Sequence, residues 1–295
     1  MLSKPIRPVT IASISGPRED PDEFLRQAEV ATAQHPDLIV LPELWQPILS
    51  ETIDSEVVSH LRVLASKNRC YIIHPTSLLD EGKRYNTAFL IGRDGVITGR
   101  YDKLYPYWSE FDDDPACTPG SQSGVMECDF GRIAVRICFD ANFPSIWADA
   151  AEQGAELVIW SSAYGAGTQL AAHALNHHYP IVTSTLSGHC MVFDINGERT
   201  LNVRGEVHYT QWITLDLDRC IFHENFNEEK LNMLLQERPR RIEIEKHLPD
   251  EQWIIVRSVQ EGVSAREVCA QAGMEELRAY KQRSRKAIDA MRINS

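Results

Sequence analysis

The chain has 295 residues, is 43% hydrophobic and 24% charged, and sets 30 Lys/Arg against 42 Asp/Glu for a formal charge of −12. That composition belongs to a globular protein and not to a disordered one, and its acidic balance disfavours a phosphate backbone as the main partner. Seven cysteines, none at CxxC spacing, argue against a zinc ribbon or a secreted disulfide framework and for a reducing, cytoplasmic setting. The N-terminus has no apolar signal region, and no stretch approaches the ~20 apolar residues of a membrane helix.

In chain order, the β-branched run Val9–Ile14 reads as a strand. Asp20-Pro21-Asp22-Glu23 then starts a helix: Asp20 caps free amides, Pro21 fits the first turn, and Glu23 is expected to reach back to the cap. Phe24, Ala28 and Ala31 give that helix one apolar face. DLIVLPE (37–43) is a strand stopped by Pro42, and Val57, Leu61 and Leu64 mark a second helix. CYIIH (70–74), NTAFLI (86–91) and VITGRY (96–101) are strands, the last two joined by the turn Arg93-Asp94-Gly95. RIAVRIC (132–138) precedes a helix near 145–152, and LVIW (157–160), IVTST (181–185) and MVFDI (191–195) continue the strands. Apolar strands alternating with helices predict an α/β protein with a mixed sheet covered by helices. From Glu251 to Arg292 the pattern becomes helical, broken at Gly262 and Gly273. The expected division is a domain over 1–248 and a helical extension over 249–295.

The most informative segment is IAVRICFDANFP (133–144). Ile133, Val135 and Ile137 alternate, which puts Cys138 at a strand end before Asp140, Asn142 and Pro144 turn the chain into a helix. A nucleophile elbow has this strand–turn–helix context, and unpaired amides there favour a thiolate and can hold an oxyanion. Set against it is an ordinary buried cysteine. Glu43 closes another apolar strand and is either a surface terminator or a buried carboxylate with a task. Lys103 closes VITGRYDK, where a solvated charge is the commoner outcome. Should the three strand ends converge, Glu43 can take the thiol proton, Lys103 can offset the tetrahedral charge, and Cys138 can carry an acyl group.

Glu43 in LPELW, Lys103 in YDKLY and Cys138 in CFDANFP together resemble the Glu–Lys–Cys triad of the nitrilase superfamily, the carbon–nitrogen hydrolases, over roughly residues 6–235. The resemblance implies a four-layer αββα sandwich, catalysis without a metal or other cofactor, and a homodimer or larger homo-oligomer. It implies a second glutamate after the lysine, for which Glu110 in YPYWSEFDDD is the candidate, and an oxyanion contact from the Phe139 N–H. Cys138-Phe139-Asp140 is similar to the amidase and carbamoyl-amide branches, while nitrilases acting on C≡N usually carry Cys-Trp-Glu. Ser145 departs from the Glu that many of those enzymes carry after Phe-Pro. The implied substrate is a small carboxamide or N-carbamoyl compound, with a true nitrilase as the alternative.

Other residues bear on that reading. Tyr107, Trp108 and Tyr164, with Trp45 and Tyr105, can wall a pocket or simply pack. Arg136 shares a strand face with Cys138 and is expected to join an ion pair. His173 and His177 stand four apart, but no HExxH and no third ligand accompany them, so no metal is expected. A Cys–His hydrolase using His74 or His189 leaves Glu43 and Lys103 unexplained. The tail sequence GVSAREVCAQAGMEELRAYKQRSRKAI resembles a helix-turn-helix, the basis of an alternative regulatory or nucleic-acid-binding role. From 249 onward, however, 8 Lys/Arg meet 7 Asp/Glu, which is no basic footprint.

Overall fold

The computed structural model describes residues 7–46, 50–237 and 241–293. Its first sheet contains β1 (Pro8–Ser15), β2 (Leu38–Val40), β3 (Tyr71–Asp80), β4 (Lys83–Ile91), β5 (Ile97–Asp102) and β12 (Tyr209–Asp216), in the order β12-β1-β2-β3-β4-β5. β1, β2 and β3 are parallel and are linked by α1 (Pro21–Ala31) and α2 (Glu56–Asn68); β4 and β5 continue the sheet antiparallel. The second sheet contains β6 (Val125–Cys128), β7 (Gly131–Ile137), β8 (Leu157–Ser162), β9 (Ile181–Thr185), β10 (His189–Phe193) and β11 (Arg199–Arg204), in the order β11-β10-β9-β8-β7-β6. Its parallel core β7-β8-β9 is crossed by α3 (Pro144–Glu152) and α4 (Gly167–His177).

Each sheet buries its outer face under its own helix pair. Phe24, Ala28, Leu61 and Ala65 pack on Ala12, Ile14, Ile39 and Ile72 of the first sheet. Trp147, Ala150, Leu170 and Ala174 pack on Val158, Trp160, Ile181 and Phe193 of the second. Buried hydroxyls link the two sheets. Ser13 Oγ donates to Thr183 O at 2.7 Å, Ser161 Oγ donates to Leu41 O at 2.9 Å, and Ser15 Oγ accepts from Thr185 N at 3.0 Å. Hydroxyls that satisfy carbonyls let two buried sheets approach without orphaned polar groups. The result is the expected four-layer αββα sandwich.

The start of α1 follows the sequence reading except at one residue. Asp20 accepts from the Glu23 N–H at 3.1 Å, and Pro21 opens the helix. Glu23 does not return to the cap. It accepts from Arg26 Nε at 2.7 Å and from Gln27 Nε2 at 2.8 Å, because a charged donor one turn on is a stronger partner than a backbone amide.

Residues 9–214 form one compact unit, and residues 7–8 with the described residues from 215 onward form a second. The second contains β13 (Cys220–His223), α5 (Glu228–Glu237), β14 (Ile242–Leu248), β15 (Trp253–Ser258), α6 (Ala265–Gln271) and α7 (Leu277–Ile293), with strand order β13-β15-β14. The boundary expected at 248/249 lies inside the β14–β15 hairpin, and the expected helix from 251 begins instead with a strand. Ile254, Ile255 and Val256 are the cause: a β-branched run pairs as the central strand and is buried with Phe222, Leu231 and Val268. The breaks at Gly262 and Gly273 are present as left-handed residues at φ +74° and +71°. α6 and α7 flank Gly273 as a helix-turn-helix would, yet Arg283 is paired with Glu275 at 2.8 Å and Arg292 with Asp289 at 2.7 Å. No helix among the described residues is long and apolar enough to cross a membrane.

Candidate active site

Three segments of the first sheet place charged groups at one point. β2 runs into Leu41-Pro42, where Pro42 ends the pairing, and Glu43 follows with only 3% of its surface exposed. Lys103 follows β5 and is 1% exposed; its N–H donates to Asn86 O of β4 at 2.8 Å, which fixes its register. Glu110 lies in a single 3-10 turn (Trp108–Phe111) and accepts from the Tyr107 N–H at 2.6 Å.

The side chains meet. Lys103 Nζ donates to Glu43 Oε1 at 2.8 Å and to Glu110 Oε2 at 2.6 Å. Asn86 Nδ2 donates to the same two carboxylates, at 2.9 Å and 2.8 Å. The second Glu43 oxygen accepts from the Ala163 N–H at 3.0 Å, at the end of β8 in the facing sheet. Burial alone would strip the proton from Lys103, but the adjacent carboxylates of Glu43 and Glu110 outweigh it and hold the ammonium well above its ordinary range.

Cys138 follows β7 directly and opens a 3-10 turn (Cys138–Asn142) that leads into α3. Its φ is +47°, a left-handed conformation that costs a side-chain-bearing residue about 1–3 kcal/mol and persists only when neighbours impose it. Here they do. Asp140 is fully buried and accepts from the Ile137 N–H at 2.9 Å, the Tyr105 N–H at 3.1 Å and the Tyr101 hydroxyl at 2.7 Å. Burial raises that carboxyl to about 6. The indole N–H groups of Trp160 and Trp147 donate to the carbonyls of Cys138 and Asp140 at 3.3 Å and 3.0 Å.

The sulfur is not the preformed thiolate that amides at a helix start suggest. Burial, and then the Glu43 carboxylate, push the thiol up to about 12, against the opposing pull of Lys103 and of a hydrogen bond from Ser162. Desolvation and a neighbouring anion both penalise S⁻. Both effects favour the thiol form beside the Glu43 carboxylate.

The other sequence-predicted residues divide. The Phe139 ring packs edge-on against Tyr107 at 5.3 Å and Phe143 at 5.5 Å, and its N–H belongs to the first turn, where amides have no partner inside the helix. Tyr164 packs on Trp160 at 5.4 Å and lies near enough for Cys138 to act on its hydroxyl. Tyr107 is half-exposed, whereas Trp108 is 72% exposed and makes no ring contact among the described residues. Tyr105 stacks on Phe143 at 3.6 Å, and Trp45 is buried away from solvent. Among the described residues Arg136 forms no ion pair: it donates to the carbonyls of Ser123, Val135 and Ile146 and lies over the Tyr101 ring.

His173 donates from Nε2 to the Ala141 carbonyl at 2.9 Å and stacks on Trp147, so it braces the elbow. No group of three or more His, Cys, Asp or Glu side chains suited to a metal occurs among the described residues. Two contributors escaped the sequence reading. Asn86 looks like any polar residue in a strand pattern. Arg84, 1% exposed, anchors the Glu110 loop by donating to Glu110 O, Pro115 O and Asp113, each at 2.7 Å. An arginine that begins a buried strand was the available signal.

The sequence profile described as carbon–nitrogen hydrolase matches residues 10–222. The omega-amidase NIT3 of Saccharomyces cerevisiae is 27% identical over 195 residues, covering 57% of this chain and 67% of that protein. The beta-ureidopropionase of Arabidopsis thaliana is 34% identical over 119 residues, 39% of this chain and 29% of that one. A probable hydrolase of Bacillus subtilis, YhcX, is 29% identical over 163 residues, and the match spans 30% of its length. The crystal structure of yeast Nit3, a nitrilase-superfamily member of branch 10, superposes with a TM-score of 0.62 at 21% identity, covering 79% of this chain and 94% of that one. An amidase from Nesterenkonia sp. superposes with a TM-score of 0.60 at 21% identity, covering 73% and 93%.

Proposed function

We propose, from the premise that the chain belongs to the carbon–nitrogen hydrolase family, that it hydrolyses the C–N bond of a small carboxamide or N-carbamoyl compound through a thioester on Cys138. One observation carries the reading: the Lys103 ammonium lies between two buried carboxylates, one of which, Glu43, also faces the Cys138 thiol.

In this mechanism Glu43 accepts the Sγ proton as sulfur attacks the carbonyl carbon. The C=O pair becomes an oxyanion, which the Lys103 ammonium and the Phe139 N–H stabilise. The C–N bond then breaks, and the nitrogen leaves as ammonia or an amine with the proton held by Glu43. Water attacks the thioester, again losing its proton to Glu43, and the carbon–sulfur bond breaks. Glu43 returns the proton to sulfur, and the product is a carboxylic acid from an amide, or carbamic acid, which breaks down to carbon dioxide and ammonia, from a carbamoyl compound. Glu110 and Asn86 act by holding Lys103 and Glu43 in place. Tyr107, Phe139 and Tyr164 supply the pocket wall. The same reading takes a second copy of the chain as the partner in a homo-oligomer and a cytoplasmic setting.

A panel of neutral amides, ω-amides of dicarboxylic acids, N-carbamoyl amines, N-carbamoyl acids and nitriles, scored by ammonia release, tests the reaction class. Turnover of an amide or carbamoyl compound, with an acyl mass on the Cys138 peptide, supports the reading. Turnover of nitriles alone replaces it with the nitrilase alternative, and an acyl adduct elsewhere removes Cys138 as nucleophile.

A further inference from the structure

A second buried carboxylate sits close to Glu43 in the chain, outside the machinery described above. Glu51 is 2% exposed and is anchored to β3 through its own backbone: its N–H donates to Ser77 O at 2.7 Å and its carbonyl accepts from the Leu79 N–H at 2.8 Å. Its carboxylate contacts His74 Nε2 at 2.9 Å and accepts from Ser55 Oγ at 2.8 Å and Gln46 Nε2 at 3.4 Å. No lysine or arginine among the described residues pairs with it. His74, on β3 and completely buried, meets the Trp45 indole N–H at 3.2 Å through Nδ1.

Valence fixes the tautomer. An indole N–H can only donate, so Nδ1 of His74 carries no proton, and Nε2 must carry one and donate it to Glu51. The chain of bonds runs Trp45 to His74 to Glu51, one direction throughout. A buried carboxylate with only neutral donors is costly and is retained where it serves a purpose. The end of this chain explains the purpose. Trp45 is two residues from Glu43, and Leu44 between them is held at φ +44°, a left-handed strain for a residue with a branched side chain. Trp45 itself is wedged against Phe24 at 5.9 Å.

We propose that the Glu51–His74–Trp45 chain is a positioning device that locks the strained Leu44 turn and thereby aims the Glu43 carboxylate at the Cys138 thiol. None of the three touches the thiol, Lys103 or Glu110 through an observed contact. They act through two backbone residues. The inference rests on the proposed role of Glu43 as the base toward Cys138, and its test is chosen not to need a substrate.

Trp45→Phe keeps an aromatic wedge and removes only the donor; Glu51→Gln keeps the shape and removes the charge. In each, the alkylation rate of Cys138 by iodoacetamide is followed against pH by peptide mass, alongside kcat and KM on whichever amide the wild type turns over. A Glu43 carboxylate swung away no longer opposes ionisation of the sulfur, so the alkylation midpoint falls by about one pH unit. Turnover falls in the same variants, by about 10–100-fold in kcat with KM within about twofold, because a base displaced by an ångström is a poor base. A sulfur that becomes more acidic while turnover drops is the signature of misaiming; simple loss of stability lowers the yield of folded protein and leaves the midpoint of the folded fraction unmoved. An alkylation profile that superposes on the wild type in both variants overturns the proposal. If no amide is turned over, the alkylation arm still decides it, and the failure belongs to the assigned reaction instead.

Discussion

Two buried carboxylate clusters in the first sheet are built on opposite principles. Around Lys103 opposite charges are paired: one ammonium lies between two glutamates, with Asn86 bridging them. Around His74 the carboxylate has no lysine or arginine partner among the described residues, and its pKa is nevertheless lowered to about 2, chiefly because its contact with His74 outweighs the opposing effect of burial. The first cluster sits beside the Cys138 thiol, whose ionisation is opposed by burial and by Glu43. The second holds its carboxylate among His74, Ser55 and Gln46, which suits a support. The comparison teaches that burial of charge is by itself no mark of catalysis; what faces the group decides.

The comparison can be broken in graded ways. The largest expected effect is Cys138→Ala, which removes the nucleophile and should lower kcat by about 10⁴–10⁶ with the fold intact, read by ammonia release and circular dichroism. Lys103→Met should also abolish turnover, and it should destabilise, by about 3–5 kcal/mol in denaturant unfolding, since two buried glutamates lose their counter-ion. The double variant Lys103→Met/Glu110→Gln should recover part of that stability and none of the activity. Unchanged stability in the single variant would show that the cluster is solvated.

Asn86→Ala should be milder, lowering kcat by about 10–100-fold through a looser Glu43, with KM little changed. The smallest effects are in pH dependence. Glu51, held at about 2 against an ordinary 4.5, contributes stability that is present above pH 4.5 and lost as pH falls toward 2. Asp140 works in the opposite sense: raised to about 6 from 3.8, it contributes stability that is present below pH 3.8 and lost as pH rises through 6. Thermal unfolding followed from pH 2 to 8 should show the acid-side slope flatten in Glu51→Gln and the higher window flatten in Asp140→Asn. Identical curves for wild type and variants would remove either assignment.

Much of the sandwich was legible because each buried strand is a short apolar run bounded by turn residues. IVTST at 181–185 is β9 to the residue, and the elbow at 138 follows from alternation up to Ile137. β11 and β12 were not legible: both carry exposed or half-buried polar residues, and they are strands because a neighbouring strand offers its edge. The C-terminal hairpin was hidden by composition, since Glu, Arg and Ala around Trp253–Ser258 favour a helix when pairing is ignored. Glu43, Lys103 and Cys138 could be singled out because each ends a strand. Asn86 and His74 could not, because nothing in local pattern distinguishes a buried polar group with a partner from one facing water.

By itself the sequence determined the buried apolar strands and their covering helices, and which three charged or nucleophilic residues follow those strands. Those are properties of neighbours along the chain, set by side-chain size, branching and turn geometry. The tertiary structure alone decided that Lys103 is shared between Glu43 and Glu110, that burial and the Glu43 carboxylate oppose ionisation of the Cys138 thiol, and that Glu51 meets His74 in the interior. Each of those depends on desolvation and on partners brought from tens of residues away, and electrostatics in a dry interior is a function of distance in space.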